Sequence, residues 1–381
     1  MVSSLAASPR FLEGVGATEL YLTVAPPEGD SLPSQAHDLY LAVRDLLAAA
    51  GARIFSERVF ATEEAMPVVE AERRAALGKL DDAVRPTKVV VSPGMAGPFA
   101  GVQVHAISAD MLPRPLRGPE VDSPAFGREL RLGRDRWLTV SGMGPSGDGA
   151  PGEQARSMFE AVGRFLRQAG ADMRSVVRTW LWLRDICDWY GDFNAARTDF
   201  FEREGLIRRG DGPPRLPAST GIGLGCASGS ACAIDFIAMP GAEDRIEFFE
   251  AGGQQESAFA YGSAFSRAAV APMPGGRTLF VSGTAAIDAQ GRTEHVGDAE
   301  AQIEATLRHA RALLSQVGCG DEHVLGAMVY CKTPQVERAF RSGWTSLIWP
   351  AVTMVGDVCR PDLLFEVELI AGPVPDVGTK G

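Results

Sequence analysis

Phe280-Val281-Ser282-Gly283-Thr284-Ala285 reads as a short strand running into a tight turn, and Gly297-Asp298 leads from it into a helix that begins near Glu300. After Cys359, the stretch Leu363-Leu364-Phe365-Glu366-Val367-Glu368-Leu369-Ile370 reads as a second strand that sets Glu366 among apolar residues. The helix of this block opens at Gln302 and closes on Gly318, and the same separation joins Gln35 to Gly51 and Gln154 to Gly170. An apolar strand follows each glycine: Ile54 to Phe60, Val176 to Leu183, and Val324 to Tyr330. A fixed spacing that recurs along a chain marks a repeat. One helix cannot bury its apolar stripe alone, so each copy needs a sheet to pack on. The pattern predicts an α+β fold of three tandem units, residues 1–108, 128–256 and 257–381, with the Pro-containing stretch 109–127 as a linker.

Bulk composition narrows the function. Hydrophobic residues make up 45% of the 381 and charged residues 22%, the balance of a soluble chain with a sizeable core. The net charge of −11 argues against a nucleic-acid surface, because phosphate binding needs clustered Lys and Arg. An anionic small ligand must then be met by local arginines. Met1 to Phe11 lacks a signal-peptide pattern and no stretch approaches ~18 uninterrupted apolar residues, so the expectation is a cytoplasmic protein without a membrane span. The cysteines form no CxxC pair and the histidines no HExxH, so reduced thiols, no metal and no cofactor are expected.

In chain order, the first unit reads as strand Glu19–Val24, helix Ser34–Ala50, strand Arg53–Ala61, helix Glu63–Leu77, and strands Thr87–Ser92 and Gly101–Ile107. That order lets both helices lie on one face of a mixed sheet. In the second unit Gly142 to Gly147 matches GxGxxG, but Asp148 to Glu153 separate it from the helix that a dinucleotide fingerprint would open, so it reads as a turn. The strand Val176–Leu183 puts Arg178, Trp180 and Trp182 on one face, where Arg178 either pairs with a carboxylate or snorkels. Ile246 to Phe249 suits an extra edge strand.

These stretches resemble the YjgF/RidA superfamily: a Ser-Gly strand, a downstream Gln opening a helix, an Ala-Gly or Val-Gly helix end, and a last strand with alternating acids. Such proteins are usually homotrimers with ligand clefts between neighbouring sheets, so the resemblance implies a trimer-like body built from one polypeptide, an intramolecular pseudo-trimer. Members that hydrolyse enamines pair an Arg with a Glu; the matching positions here are Lys88 with Gln103, Ser219 with Asp235, and Val352 with Glu366. No unit keeps both, which sets that activity aside.

Units 2 and 3 also resemble the chorismatases, through Arg178-Thr179-Trp180, Pro217 to Gly223, Tyr261-Gly262 with Phe265 and Arg267-Ala268, Ser282 to Ala285, His295 with Gly297-Asp298 and Gln302, Val329-Tyr330, and Asp357 to Leu364 leading to Glu366. Two departures stand out: the segment after Tyr261-Gly262 is shortened to Ser263-Ala264, and a recognisable first unit replaces a more divergent region. The resemblance implies a cofactor-free enzyme that protonates the enol-ether methylene of chorismate and releases pyruvate. It assigns Glu366 as proton donor, Arg178 and Arg267 as carboxylate ligands, and Tyr330 and Thr220 as hydrogen-bond donors; Arg360 is either a third cation or a surface residue. Cys359 with Gly283 matches the pattern of members that form 3-hydroxybenzoate, while Cys359 is otherwise a small space-filling thiol. The strand pattern alone leaves Glu366 either an exposed acid or a buried one. Two further readings stay open: a non-catalytic protein that binds a carboxylate metabolite, and a lyase or hydrolase acting on a related substrate.

Overall fold

The repeated Gln and Gly are the two ends of one device. In the computed structural model, which describes residues 6–27, 31–82, 84–117, 125–207, 214–253 and 255–375, each pair brackets a helix: α1 (Leu32–Ala49) before α2 (Met66–Leu77), α3 (Pro151–Gln168) before α4 (Ile186–Arg203), and α5 (Ala299–Gln316) before α6 (Pro334–Gly343). Gly51, Gly170 and Gly318 follow the first helix of each unit with φ of 60°, 64° and 76°, the left-handed conformation that ends a helix without a Cβ penalty. The glutamines tie the helix starts to loops. Gln35 donates to the Pro27 carbonyl at 2.8 Å, Gln154 accepts from Ala231 N at 2.8 Å, and Gln302 donates to Asp362 O at 2.9 Å while accepting from Leu364 N at 2.8 Å.

The strands are β1 (Ala6–Gly14), β2 (Ala17–Ala25), β3 (Arg53–Ala61), β4 (Thr87–Val90), β5 (Phe99–Ala109), β6 (Arg114–Arg117), β7 (Ala125–Leu132), β8 (Asp135–Met143), β9 (Val176–Leu183), β10 (Ala218–Ile222), β11 (Gly225–Cys226), β12 (Cys232–Ala238), β13 (Glu247–Phe249), β14 (Ala268–Met273), β15 (Gly276–Ala285), β16 (Val324–Cys331), β17 (Ala351–Val355) and β18 (Phe365–Ala371). They form three six-stranded mixed sheets that share a five-strand order: β1-β2-β5-β3-β4, β7-β8-β12-β9-β10 and β14-β15-β18-β16-β17. The sixth strand differs, being β11 beside β4, β6 beside β7 and β13 beside β14. Thus β11, from the second unit, completes the first sheet, and β13, the expected edge strand, joins the third sheet although it precedes residue 257.

Two elements depart from the sequence reading. β1 pairs along its whole length with β2, yet it lies before the first strand expected from the pattern. Pro9 sits within it, and an edge strand tolerates a residue with no N–H. β6 falls inside the Pro-containing stretch 109–127 and pairs with β7, so that stretch is not wholly without structure; residues 118–124 of it lie outside the described residues, as do residues 376–381 of the tail.

Each helix pair covers the outer face of its own sheet, and the three inner faces meet in one apolar core that takes Phe55 and Phe60 from the first unit, Trp180 and Trp182 from the second, and Phe280 and Met328 from the third. Leu181 and Leu183 alternate outward toward α3 and α4. Among the described residues no helix is long and apolar enough to cross a membrane.

Candidate active site

The third strand in the shared order of each sheet carries a polar residue at an equivalent register, Gln103 opposite Arg58, Asp235 opposite Trp180 and Glu368 opposite Met328, and in the third sheet Glu366 adds a second acid two residues earlier, opposite Tyr330, where the other two sheets have Gly101 and Ala233. Their surroundings differ. Gln103 donates its amide to the Ala327 carbonyl at 2.8 Å, bracing the first unit on the third. Asp235 receives Arg58 Nε at 2.7 Å, the Thr87 hydroxyl at 2.8 Å and Gly142 N at 2.7 Å, so its oxygens are saturated and its charge is neutralised. Gly142, the first glycine of the GxGxxG stretch, thus spends its N–H on a carboxylate of its own chain. No described residue hydrogen-bonds to the side chain of Glu366.

Glu366 is only 4% exposed. Burial, and then the charge of Glu368 two residues along the same face, push its carboxyl up to about 8, against the opposing pull of Arg178 and Arg267. The carboxyl lies over Gly283: a Cβ at that position would stand 2.0 Å from Glu366 Oε1 and 3.1 Å from Thr220 Cγ2. Glycine at 283 therefore makes the space that the acid occupies. Cys359 lines the same cleft, and burial with the nearby Glu366 pushes its thiol up to about 12, so it offers a neutral, soft surface and no thiolate.

The cations are arranged differently from the sequence expectation. Arg267, as expected, lines the cleft; it donates from Nε and Nη2 to the Glu256 carbonyl at 3.1 Å and also to the Tyr261 hydroxyl. Arg178 does not line it. Its Nη2 is taken by Glu368 at 2.5 Å and Thr220 Oγ1 at 2.5 Å, and Thr220 in turn donates to Glu368, whose other oxygen accepts from Trp180 Nε1 at 2.6 Å. Arg178 and Thr220 thus form a buried cage for Glu368 behind the acid. Tyr330 is fully buried in the central core, with its hydroxyl against the Met328 sulfur. These three side chains support Glu366 from behind and do not face a ligand.

Other residues enter that the sequence reading did not assign. Arg360, left open between cation and surface residue, lines the cleft and donates to the Gly291 carbonyl at 2.5 Å, with its guanidinium 5.6 Å from the Tyr261 ring. Arg197 and Tyr190, both on α4, line it as well. The signal for Arg197 lay in the helix pattern: it sits on the apolar stripe of α4 with Phe193, Phe200 and Phe201, where a cation is out of place unless it has a task. Among the described residues no carboxylate forms an ion pair with Arg197, Arg267 or Arg360. His295 is a turn residue with φ of 50°, its carbonyl accepting from Gln302. Among the described residues no group of three His, Cys, Asp or Glu side chains stands ready to hold a metal.

The cleft is narrow, about 40 Å³, room for a few water molecules. Its outer wall is the Tyr261 ring packed on Gly291, where a Cβ would meet that ring at 2.8 Å. A ligand of metabolite size must move this wall.

A family model described as endoribonuclease L-PSP matches residues 128–225 and 256–372. No curated protein sequence matches the chain. Among solved structures, a chorismatase crystal structure aligns over 98% of this chain and 100% of that one at 20% identity and a TM-score of 0.61, a likeness of fold. Single-unit structures align over about a third of the chain: a YjgF-family protein from Neisseria meningitidis (33% of this chain, 92% of that one, 19% identity, TM-score 0.26) and a Rid-family protein from Yersinia pestis (34%, 99%, 22%, 0.28).

Proposed function

The chain belongs to the endoribonuclease L-PSP family, the YjgF/RidA superfamily, and from that premise we propose that it is a chorismatase-like enzyme, cleaving chorismate to pyruvate and 3-hydroxybenzoate. One observation carries the reading: Glu366, at a level where the other two sheets have Gly101 and Ala233, is a buried carboxyl with no described donor of its own, and it faces a cleft lined by arginines that no described carboxylate neutralises. A carboxyl that keeps its proton at neutral pH is a competent general acid, and unneutralised arginines suit a substrate with more than one carboxylate. The net charge of −11 speaks against an RNA substrate.

In this reading Glu366 gives its proton to the methylene carbon of the enolpyruvyl ether, leaving an oxocarbenium beside the carboxylate it has become. Arg267 and Arg360 hold a substrate carboxylate. The neighbouring ring hydroxyl then returns a proton to the Glu366 carboxylate while its oxygen attacks the ring carbon that bears the ether; that carbon–oxygen bond breaks, the enolpyruvyl carbons leave as pyruvate with the ether oxygen as its keto oxygen, and an epoxide remains. The epoxide opens at the carbon that first held the hydroxyl, its oxygen takes up a proton, and the carbon that now keeps the oxygen loses its hydrogen as a proton, giving the aromatic ring of 3-hydroxybenzoate. The atoms of chorismate divide between pyruvate and 3-hydroxybenzoate with nothing added, whereas a hydrolytic route to a diene acid consumes one water. Cys359 and Gly283 support the first outcome, through the family pattern they match. Glu368, held by Arg178, Trp180 and Thr220, keeps a negative charge near Glu366 and so favours the protonated acid.

Incubation with chorismate, followed for pyruvate and for the ring product, tests the proposal. Equal amounts of pyruvate and 3-hydroxybenzoate are expected. Folded protein that binds chorismate and releases no pyruvate would leave a carboxylate-binding protein in its place.

A further inference from the structure

The first strands of the shared order, β1, β7 and β14, run into equivalent hairpins, and the last paired residues before the two-residue turns are Gly14, Leu132 and Met273. The pair that flanks such a turn is hydrogen-bonded, and antiparallel pairing alternates, so residues an odd number back aim their N–H and C=O away from the hairpin partner. Three residues back stand Phe11, Glu129 and Val270, with their backbone groups on the outer edge. Glu129 pairs there with Arg114 of β6, and Val270 with Glu247 of β13. Four residues further back, Ala125 is bridged by Val84 and Ser266 by Ala218, in each case a residue of the preceding unit. The first sheet has neither contact: among the described residues nothing pairs with the outer edge at Phe11 or bridges Ala7, the equivalent of Ala125 and Ser266. Pro9 fits this orientation, because its missing N–H falls on the open side of a strand that pairs with β2 throughout. Phe11 is 51% exposed. An uncovered strand edge beside an exposed ring is a template for another strand.

We infer that the outer edge of β1 binds the β1 of a second copy of this chain, about a twofold axis at Phe11. The inference is independent of what the cleft binds. A twofold axis sets two identical strands antiparallel, and the outward residues Ala7, Pro9, Phe11 and Glu13 must then meet outward residues. Centred on Phe11, the two Phe11 rings form a cross-strand aromatic pair and exchange both backbone hydrogen bonds. Each Glu13 N–H reaches the Pro9 carbonyl of the other copy, so the missing Pro9 donor leaves only one carbonyl per copy to water, and Val15 falls opposite Ala7. A shift of the axis by one residue is worse in either direction. Centred on Arg10 it sets two guanidiniums opposite each other, and centred on Leu12 it sets Phe11 opposite Glu13. The pairing joins the first sheet of each copy into one sheet across the axis, and it covers the one equivalent edge that β6 and β13 leave open.

Light scattering on a sizing column and disulfide trapping test it together. An interface of one strand edge and a few side chains belongs at roughly micromolar affinity, so at about 100 μM the wild type should run at twice the mass of one chain. Phe11→Lys places like charges opposite each other at the axis and should run as a monomer with the wild-type Tm. In this register the two Phe11 Cα atoms stand about 5.5 Å apart, within disulfide reach, while the two Glu13 Cα atoms stand roughly 13 Å apart. Under mild oxidation Phe11→Cys should therefore form a covalent dimer, and Glu13→Cys and the wild type should not. A wild type that stays monomeric at that concentration, or that forms a larger assembly, overturns the inference. So does a dimer that survives in folded Phe11→Lys. If Phe11→Lys does not fold, the trapping decides alone: no covalent dimer from Phe11→Cys, or one formed as readily from Glu13→Cys, overturns it.

Discussion

Glu366 and Asp235 are buried carboxyls on equivalent strands, two residues apart in register, and what distinguishes them is the supply of donors. Asp235 has three within 2.8 Å, and Glu366 has none among the described residues. Glu366→Gln keeps the shape and loses the acidic proton, so kcat should fall by roughly 100-fold or more while binding of chorismate changes little. The same variant should be more stable than the wild type at neutral pH. In the unfolded chain this carboxyl ionises near the ordinary value of 4.5, and in the folded protein near 8. Between these values the native state holds a proton that the unfolded state has released, so stability falls as pH rises through that window. Removing the carboxyl removes the slope, with a gain of up to about 3 kcal/mol at pH 7, read as a higher Tm. For activity the sign is the same: the protonated acid is lost as pH rises past about 8, so kcat should decline on the alkaline side. Gly283→Ala places a methyl where the Glu366 carboxyl lies, and displacing the acid by about 1 Å should lower kcat by on the order of 100-fold; a fully active Gly283→Ala would show that the carboxyl does not need that space.

The strand β18 and the loop before it are held by Gln302, which reaches the Asp362 carbonyl and Leu364 N from the start of α5. Gln302→Ala leaves those backbone groups buried without partners, at a cost of about 2 to 4 kcal/mol, and it frees the segment that carries Cys359 and Arg360. Both Tm and kcat should drop, and hydrogen exchange across residues 357–366 should quicken; unchanged exchange there would mean the clamp is not what positions the loop. The sequence made this element legible because a Gln at a helix start and a Gly at its end leave a fixed spacing, three times over. It could not show which side chains of an inward face meet the cleft. Strand alternation places Arg178 inward, but only the packing of β18 against β9 reveals that Glu368 has already claimed its guanidinium. Arg197 was hidden for the opposite reason: its helix was legible, and nothing in the spacing brings α4 toward β18.

Across the whole molecule, three units of one pattern have been given three duties. The Gln103 amide braces unit 1 on unit 3, the Arg58–Asp235 pair locks unit 1 to unit 2, and Glu366 is left unpaired between units 2 and 3. Breaking the buried pair with Asp235→Ala strands the Arg58 charge, and should cost about 3 to 5 kcal/mol of stability with kcat at low temperature little changed, measured by denaturant unfolding beside the pyruvate assay. A loss of activity without a loss of stability would move the chemistry to the wrong cleft. The account's central claim is that Glu366 keeps its proton at neutral pH, and the most direct measurement is a carbon-13 NMR titration of glutamate carboxyls in the wild type, with Glu366→Gln identifying the signal. The claim predicts one carboxyl, absent from the variant, that remains protonated at pH 7 and titrates near 8. A Glu366 signal already ionised at pH 6 would contradict it.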